Sequence, residues 1–133
     1  MANYYAECRS NYVKAKHPKR FKAFLSEYDV EIIEDSEGRI GFISNAEGGI
    51  PELYDEDGEP TDTYLDYDER LPRHLAEGEV LVIYEIGREK MRYLIGHAVA
   101  VNWDGRVCHV SLDDIYSRAE ANFGNKPKTP AEY

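Results

Sequence analysis

The stretch 79–111, "EVLVIYEIGREKMRYLIGHAVAVNWDGRVCHVS", decides the fold. Three apolar runs, "VLVIYEI", "MRYLIGHAVAVN" and "RVCHVS", are parted by short polar segments. Runs of this length, rich in Val, Ile and Tyr and bounded by turn residues, read as strands, and the three make an antiparallel meander. Asp104-Gly105 has the chemistry of a two-residue hairpin turn, where φ must be positive. Pairing across it sets Val101 opposite Cys108 and Val99 opposite Val110. A turn over 87–90 sets Tyr84 opposite Tyr93 and Val82 opposite Ile95. Side chains alternate along a strand, so this register sorts the meander into two faces. The expected core face carries Val80, Val82, Tyr84, Ile86, Met91, Tyr93, Ile95, His97, Val99, Val101, Cys108 and Val110. The other carries Leu81, Ile83, Glu85, Arg92, Leu94, Gly96, Ala98, Ala100 and His109. Its centre is small and its ends are polar, which suits cover by a helix or a partner.

Downstream, "SLDDIYSRAEANFG" reads as a helix. Ser111 and Asp114 form a capping box, Leu112, Ile115, Tyr116, Ala119 and Phe123 form the stripe expected to be buried, and Gly124 ends the helix. Upstream, "AECRSNYVKAK" reads as a strand over 6–15. Pro18 opens a helix whose apolar stripe is Phe21, Phe24, Leu25 and Tyr28. Val30 to Glu34 and Arg39 to Ser44 flank the turn-rich "DSEG" and read as a hairpin. A more exposed hairpin follows, turning at Asp57-Gly58. "LPRHLAEG" reads as a short helical turn closed by Gly78. The fold class expected is α+β: an antiparallel sheet, made of the C-terminal meander plus the N-terminal strand and hairpin, packed against two helices. One domain spans 1–124 with an acidic insert at about 50–70, and 125–133 is a flexible tail.

The 133 residues suffice for one core without staples. No run of about 18 apolar residues occurs, so no membrane span is expected. The N-terminal segment lacks an apolar signal-peptide core, and only Cys8 and Cys108 are present, which together predict a cytoplasmic protein with reduced thiols. The net charge of −10 is regional. Residues 1–26 balance at +5, 27–79 at −15, and 80–133 at zero. Such a field repels nucleic acid and draws in basic partners. The basic N-terminal patch is expected to pair with the acidic stretch, within the chain or across a homodimer.

The acidic charge concentrates in 52–70, "ELYDEDGEPTDTYLDYDER". Its carboxylates are Glu52, Asp55, Glu56, Asp57, Glu59, Asp62, Asp66, Asp68 and Glu69, with Tyr54, Tyr64 and Tyr67 among them. Counted from Asp55, Pro60 takes the sixth and Asp66 the twelfth position, where an EF-hand needs Gly and Glu, so no calcium loop is expected. A solvated acidic loop is the plain reading. Interleaved tyrosines point instead to a contact surface, rigid anchors inside an acidic rim. Two cysteines and four scattered histidines have no zinc spacing, and no phosphate-binding or nucleophile-elbow motif occurs, so neither metal nor cofactor is expected and nothing points to an enzyme. His97 and Cys108 share the expected core face. A Cys–His pair is conceivable there, but a thiol packed as a small hydrophobe accounts for it. Glu85 and Arg92 are expected to form a cross-strand ion pair.

The segments "SNYVKAKHPKRFKAF" and "EGEVLVIYEIGREKMRYLIGHAVAVNWDGRVCHVSLDDIY" resemble a family of small acidic proteins of phages and conjugative elements. The resemblance spans most of the chain except the acidic middle. It implies an anti-restriction or anti-CRISPR type of inhibitor, one that occupies a DNA-binding surface. The function expected is thus a non-enzymatic inhibitor of a host DNA-targeting defence system, whose DNA-mimicking acidic surface enters a basic groove. The alternatives are an immunity or regulatory protein neutralising a basic partner, and a small enzyme with a sheet–helix pocket near His97.

Overall fold

The computed structural model describes residues 4–45, 49, 51–54, 56–65, 69–89, 93–125, 127–129 and 131. Six antiparallel strands form one sheet in the order β2-β3-β1-β6-β7-β8. They are β1 (Tyr4–Ser10), β2 (Val30–Glu34), β3 (Ile40–Ser44), β6 (Val80–Glu89), β7 (Tyr93–Asn102) and β8 (Val107–Ser111). A separate two-stranded hairpin is made by β4 (Glu52–Tyr54) and β5 (Pro60–Tyr64). The helices are α1 (Pro18–Leu25) and α2 (Asp114–Phe123), with a 3-10 turn at Pro72–His74. The α+β class and the roster of strands and helices follow the sequence pattern.

The core lies on one side of the sheet. Phe21, Phe24 and Leu25 of α1 and Tyr28 just beyond it are buried against Ile40 and Phe42 of β3, Leu81 and Ile83 of β6, and Val99 and Val101 of β7. Burial of such side chains is worth about 1.5–3 kcal/mol each, which is what holds α1 to the sheet. His74 is stacked on Phe24 and Phe21, with ring centroids 4.7 and 5.6 Å apart. The Arg70 guanidinium lies over the Phe24 ring, 4.9 Å from its centroid, and pairs with Glu27 at 2.8 Å. Lys22 of the basic patch pairs with Glu34 of β2 at 3.1 Å.

β1 stops at Ser10, short of the expected Ala15. The Asn11 side chain donates to Val80 O and accepts from Val82 N–H, taking over the edge of β6, and beyond it only bridges remain, Val13 to Ile40 and Ala15 to Leu75. Gly78 lies four residues past the end of the 3-10 turn and serves the tight turn that leads into β6.

The register of the meander differs from expectation at both turns. β6 runs on to Glu89, so Tyr84 lies opposite Ala98 and Val82 opposite Ala100. β6 is a central strand, bonded along its length to β1 as well as β7, and this two-sided pairing carries it through the residues taken for a turn. At the second turn Val101 lies opposite Val107 and Val99 opposite His109. The loop has three residues, Trp103 to Gly105, with Gly105 at φ 96 in the position that only a residue without Cβ adopts cheaply. Each shift is an odd number of residues, which turns a strand over. On β6 the buried residues are therefore Leu81, Ile83 and Glu85, while Val80, Tyr84 and Ile86 face out. On β8 Cys108 and Val110 are exposed, and Val107 packs on the core. The β7 assignment holds for Val99 and Val101. Met91 and Arg92 lie outside the described residues.

α2 starts later than the capping box implied: Asp113 is its N-cap, with no side-chain cap hydrogen bond, and of the box only the hydrogen bond from Ser111 N–H to Asp114 is formed. The helix ends as expected, with Gly124 N–H donating to Glu120 O. Its stripe is not buried. Only Ala119 is covered, and Leu112, Ile115 and Phe123 are more than half exposed.

Candidate functional site

The acidic hairpin is fixed at its base by apolar residues that its sequence places beside the charges. Pro51 and Leu65 are buried in the core, and Leu53 packs against it. Leu65 N–H donates to Pro51 O, closing the two ends of the hairpin on each other, and Leu53 bridges to Tyr28 at the end of α1. The Thr61 hydroxyl donates to Leu53 O at 2.8 Å. The tip lies away from this anchor: Glu56, Asp57, Gly58 and Glu59 are all exposed, with the turn at Asp57-Gly58 as expected. Glu69 is exposed beyond the second strand. Glu52, Tyr54, Asp62 and Tyr64 sit in β4 and β5, where the backbone alone is described, and Asp55, Asp66, Tyr67 and Asp68 lie outside the described residues. The arrangement presents carboxylates on an anchored scaffold, which lowers the ordering cost of binding.

A second group comes together across the sheet. Cys8, Glu85, His97 and Ser111 are register partners on β1, β6, β7 and β8 and form one row on the core side. Glu85, not Arg92 as its opposite, meets His97, with Oε1 3.1 Å from Nε2. Glu85 is 5% exposed, and burial raises the pKa of its carboxyl while the neighbouring His97 pulls it down. Gly49 sits against this carboxylate. A Cβ there would come 2.6 Å from Glu85 Oε2 and 2.8 Å from the Ala6 side chain, so only glycine lets the loop close over the group. The Cys8 thiol is pushed up to about 12 by burial and by Glu85. It stays protonated at neutral pH and is no nucleophile. The Cys108 thiol, expected to pack as a small hydrophobe on the core face beside His97, is exposed instead, because Cys108, opposite Ala100, faces the other side of the sheet. The sequence missed Glu85 as a buried group because the assumed β6 register put it on the outer face; its signal was a lone carboxylate within "VLVIYEIG".

Among the described residues no group of three His, Cys, Asp or Glu side chains is placed to hold a metal, and no helix is long and apolar enough to cross a membrane. No protein-family model, curated protein or solved structure matches the chain.

Proposed function

We propose that this chain is a non-enzymatic binding protein whose acidic hairpin enters a lysine- and arginine-lined nucleic-acid groove of a partner protein, and so inhibits a DNA-targeting defence complex of its host. The observation that carries this reading is the hairpin itself, anchored through Pro51, Leu53 and Leu65 and exposing Glu56, Asp57 and Glu59 at its tip. Carboxylates on a held hairpin compete with phosphates for the same cations, and association of this kind is fast and salt-sensitive. The regional −15 of residues 27–79 steers the approach. The test is capture from a host cytoplasmic extract by the immobilised chain at low salt. Captured proteins should be nucleic-acid-binding and should elute with duplex DNA or raised salt. The combined variant Asp55→Asn, Glu56→Gln, Asp57→Asn, Glu59→Gln should capture none of them while remaining folded. Unchanged capture by that variant overturns the reading.

The Glu85–His97 pair favours a second reading, a small enzyme in which a buried carboxylate orients a half-exposed imidazole for proton transfer. Turnover that is lost in His97→Ala with folding retained would select it over the first.

A further inference from the structure

Among the described residues, the sheet side opposite the core exposes a row of large apolar side chains. Tyr84, Ile86, Leu94 and Val110 are 57, 65, 51 and 46% exposed, and they project from β6, β7 and β8 as one ridge. Beside the ridge lies an open groove of about 910 Å³, bordered by Ile43 of β3 and by Glu7, Arg9 and Arg88. On the ridge's other side, Leu112 carries the chain out over the same face: an added Cβ on Gly96 would lie 2.8 Å from Leu112 Cδ1. α2 follows directly, with Ile115 60% and Phe123 74% exposed.

We propose that this face is a homodimer interface in which α2 of each copy lies in the groove of the other. Three observations name a second copy as the occupant. The first is area. At roughly 180 Å² for a large apolar side chain, the exposed fractions of the ridge and of Leu112, Ile115 and Phe123 amount to about 700 Å². Spread over the ridge and α2, that is close to the roughly 800 Å² each partner gives to a standard interface. The second is shape. A closed two-fold contact needs a surface that complements itself. Here the groove beside β1 and β3 and the helix that follows β8 flank one ridge, so a two-fold axis running along the strands between two facing sheets would set each helix toward the opposite groove. The third is charge. The groove is bordered by two bases, Arg9 and Arg88, against one acid, Glu7, while α2 with its N-cap carries Asp113, Asp114 and Glu120 against the single base Arg118. The interface leaves the acidic hairpin, docked on the core side, free to act, and it stands or falls independently of the function proposed above.

Sedimentation velocity on the full chain over a range of concentrations tests this. The wild type should sediment as a dimer. Ile86→Glu in the ridge and Phe123→Glu on α2 each alter a well-exposed side chain, so circular dichroism should show both folded, and each should weaken association by roughly thirtyfold or more, the size of a hot-spot loss. Mixing the two variants restores one unaltered helix-in-groove contact per pair, so the mixture should associate more tightly than either alone. A wild type that stays monomeric throughout, variants that remain dimeric, or a mixture that recovers nothing overturns the proposal.

Discussion

Glu85 and His97 face each other across β6 and β7, with Glu85 Oε1 3.1 Å from His97 Nε2, and the carboxyl is buried while the imidazole is half exposed. The pair occupies the position where a sheet of alternating pattern would place an aliphatic residue. His97 is the neighbour that makes a buried carboxylate tolerable there, while Gly49 lets the chain close over it.

The pH dependence of stability should carry two opposed signatures. Burial raises the folded pKa of Glu85, so the folded chain holds its proton more tightly than the unfolded one. Stability then falls as pH rises from about 4.5, the ordinary value, through the raised one. His74 behaves oppositely. Burial and then Arg70 lower its pKa, so its contribution is full above about 6.5 and is lost as pH falls through the folded value. In urea unfolding across pH, Glu85→Gln should remove the loss on the alkaline side, and His74→Gln should flatten the acid side. A Glu85→Gln curve parallel to wild type contradicts the assignment.

The hairpin anchor should matter for stability and the tip should not. Leu65→Ala opens a cavity at a side chain only 5% exposed and should cost about 2–5 kcal/mol. Neutralising Glu56, Asp57 and Glu59 should change stability by about 0.5 kcal/mol or less. Denaturant midpoints of the two variants check this.

Ser10 should be far more sensitive than a small polar residue usually is. Its buried hydroxyl accepts from Phe42 N–H at 2.9 Å and donates to Asn11 O at 2.8 Å, joining β3 to the end of β1. Ser10→Ala leaves the Phe42 amide without its acceptor in the core and should cost about 1–3 kcal/mol. Hydrogen exchange at that amide should accelerate with it.

The two thiols should differ sharply in reactivity. Cys108 is exposed, whereas Cys8 is buried and its thiol is pushed up to about 12. A water-soluble disulfide reagent should label one thiol per native chain, and Cys108→Ser should abolish that reaction while Cys8→Ser leaves it.

Local pattern alone carried the element roster. Phe21, Phe24, Leu25 and Tyr28 recur at helical spacing, and they are the buried face of α1. "DSEG" and Asp57-Gly58 mark hairpins where hairpins lie, because turn conformation is decided by the residues within the turn. The regional charge is likewise a property of the chain itself. What tertiary structure alone decided is which side of each strand faces inward. Strand register depends on how far β6 is held by β1 on its other edge, and on whether the loop at Gly105 takes two residues or three. A shift by an odd number exchanges the faces without disturbing the alternation, so Val80, Tyr84 and Ile86 read as core and stand outside, while Glu85 reads as surface and lies inside. The fate of the α2 stripe was settled in the same way: an amphipathic helix announces a face to be covered, and only its surroundings determine what covers it.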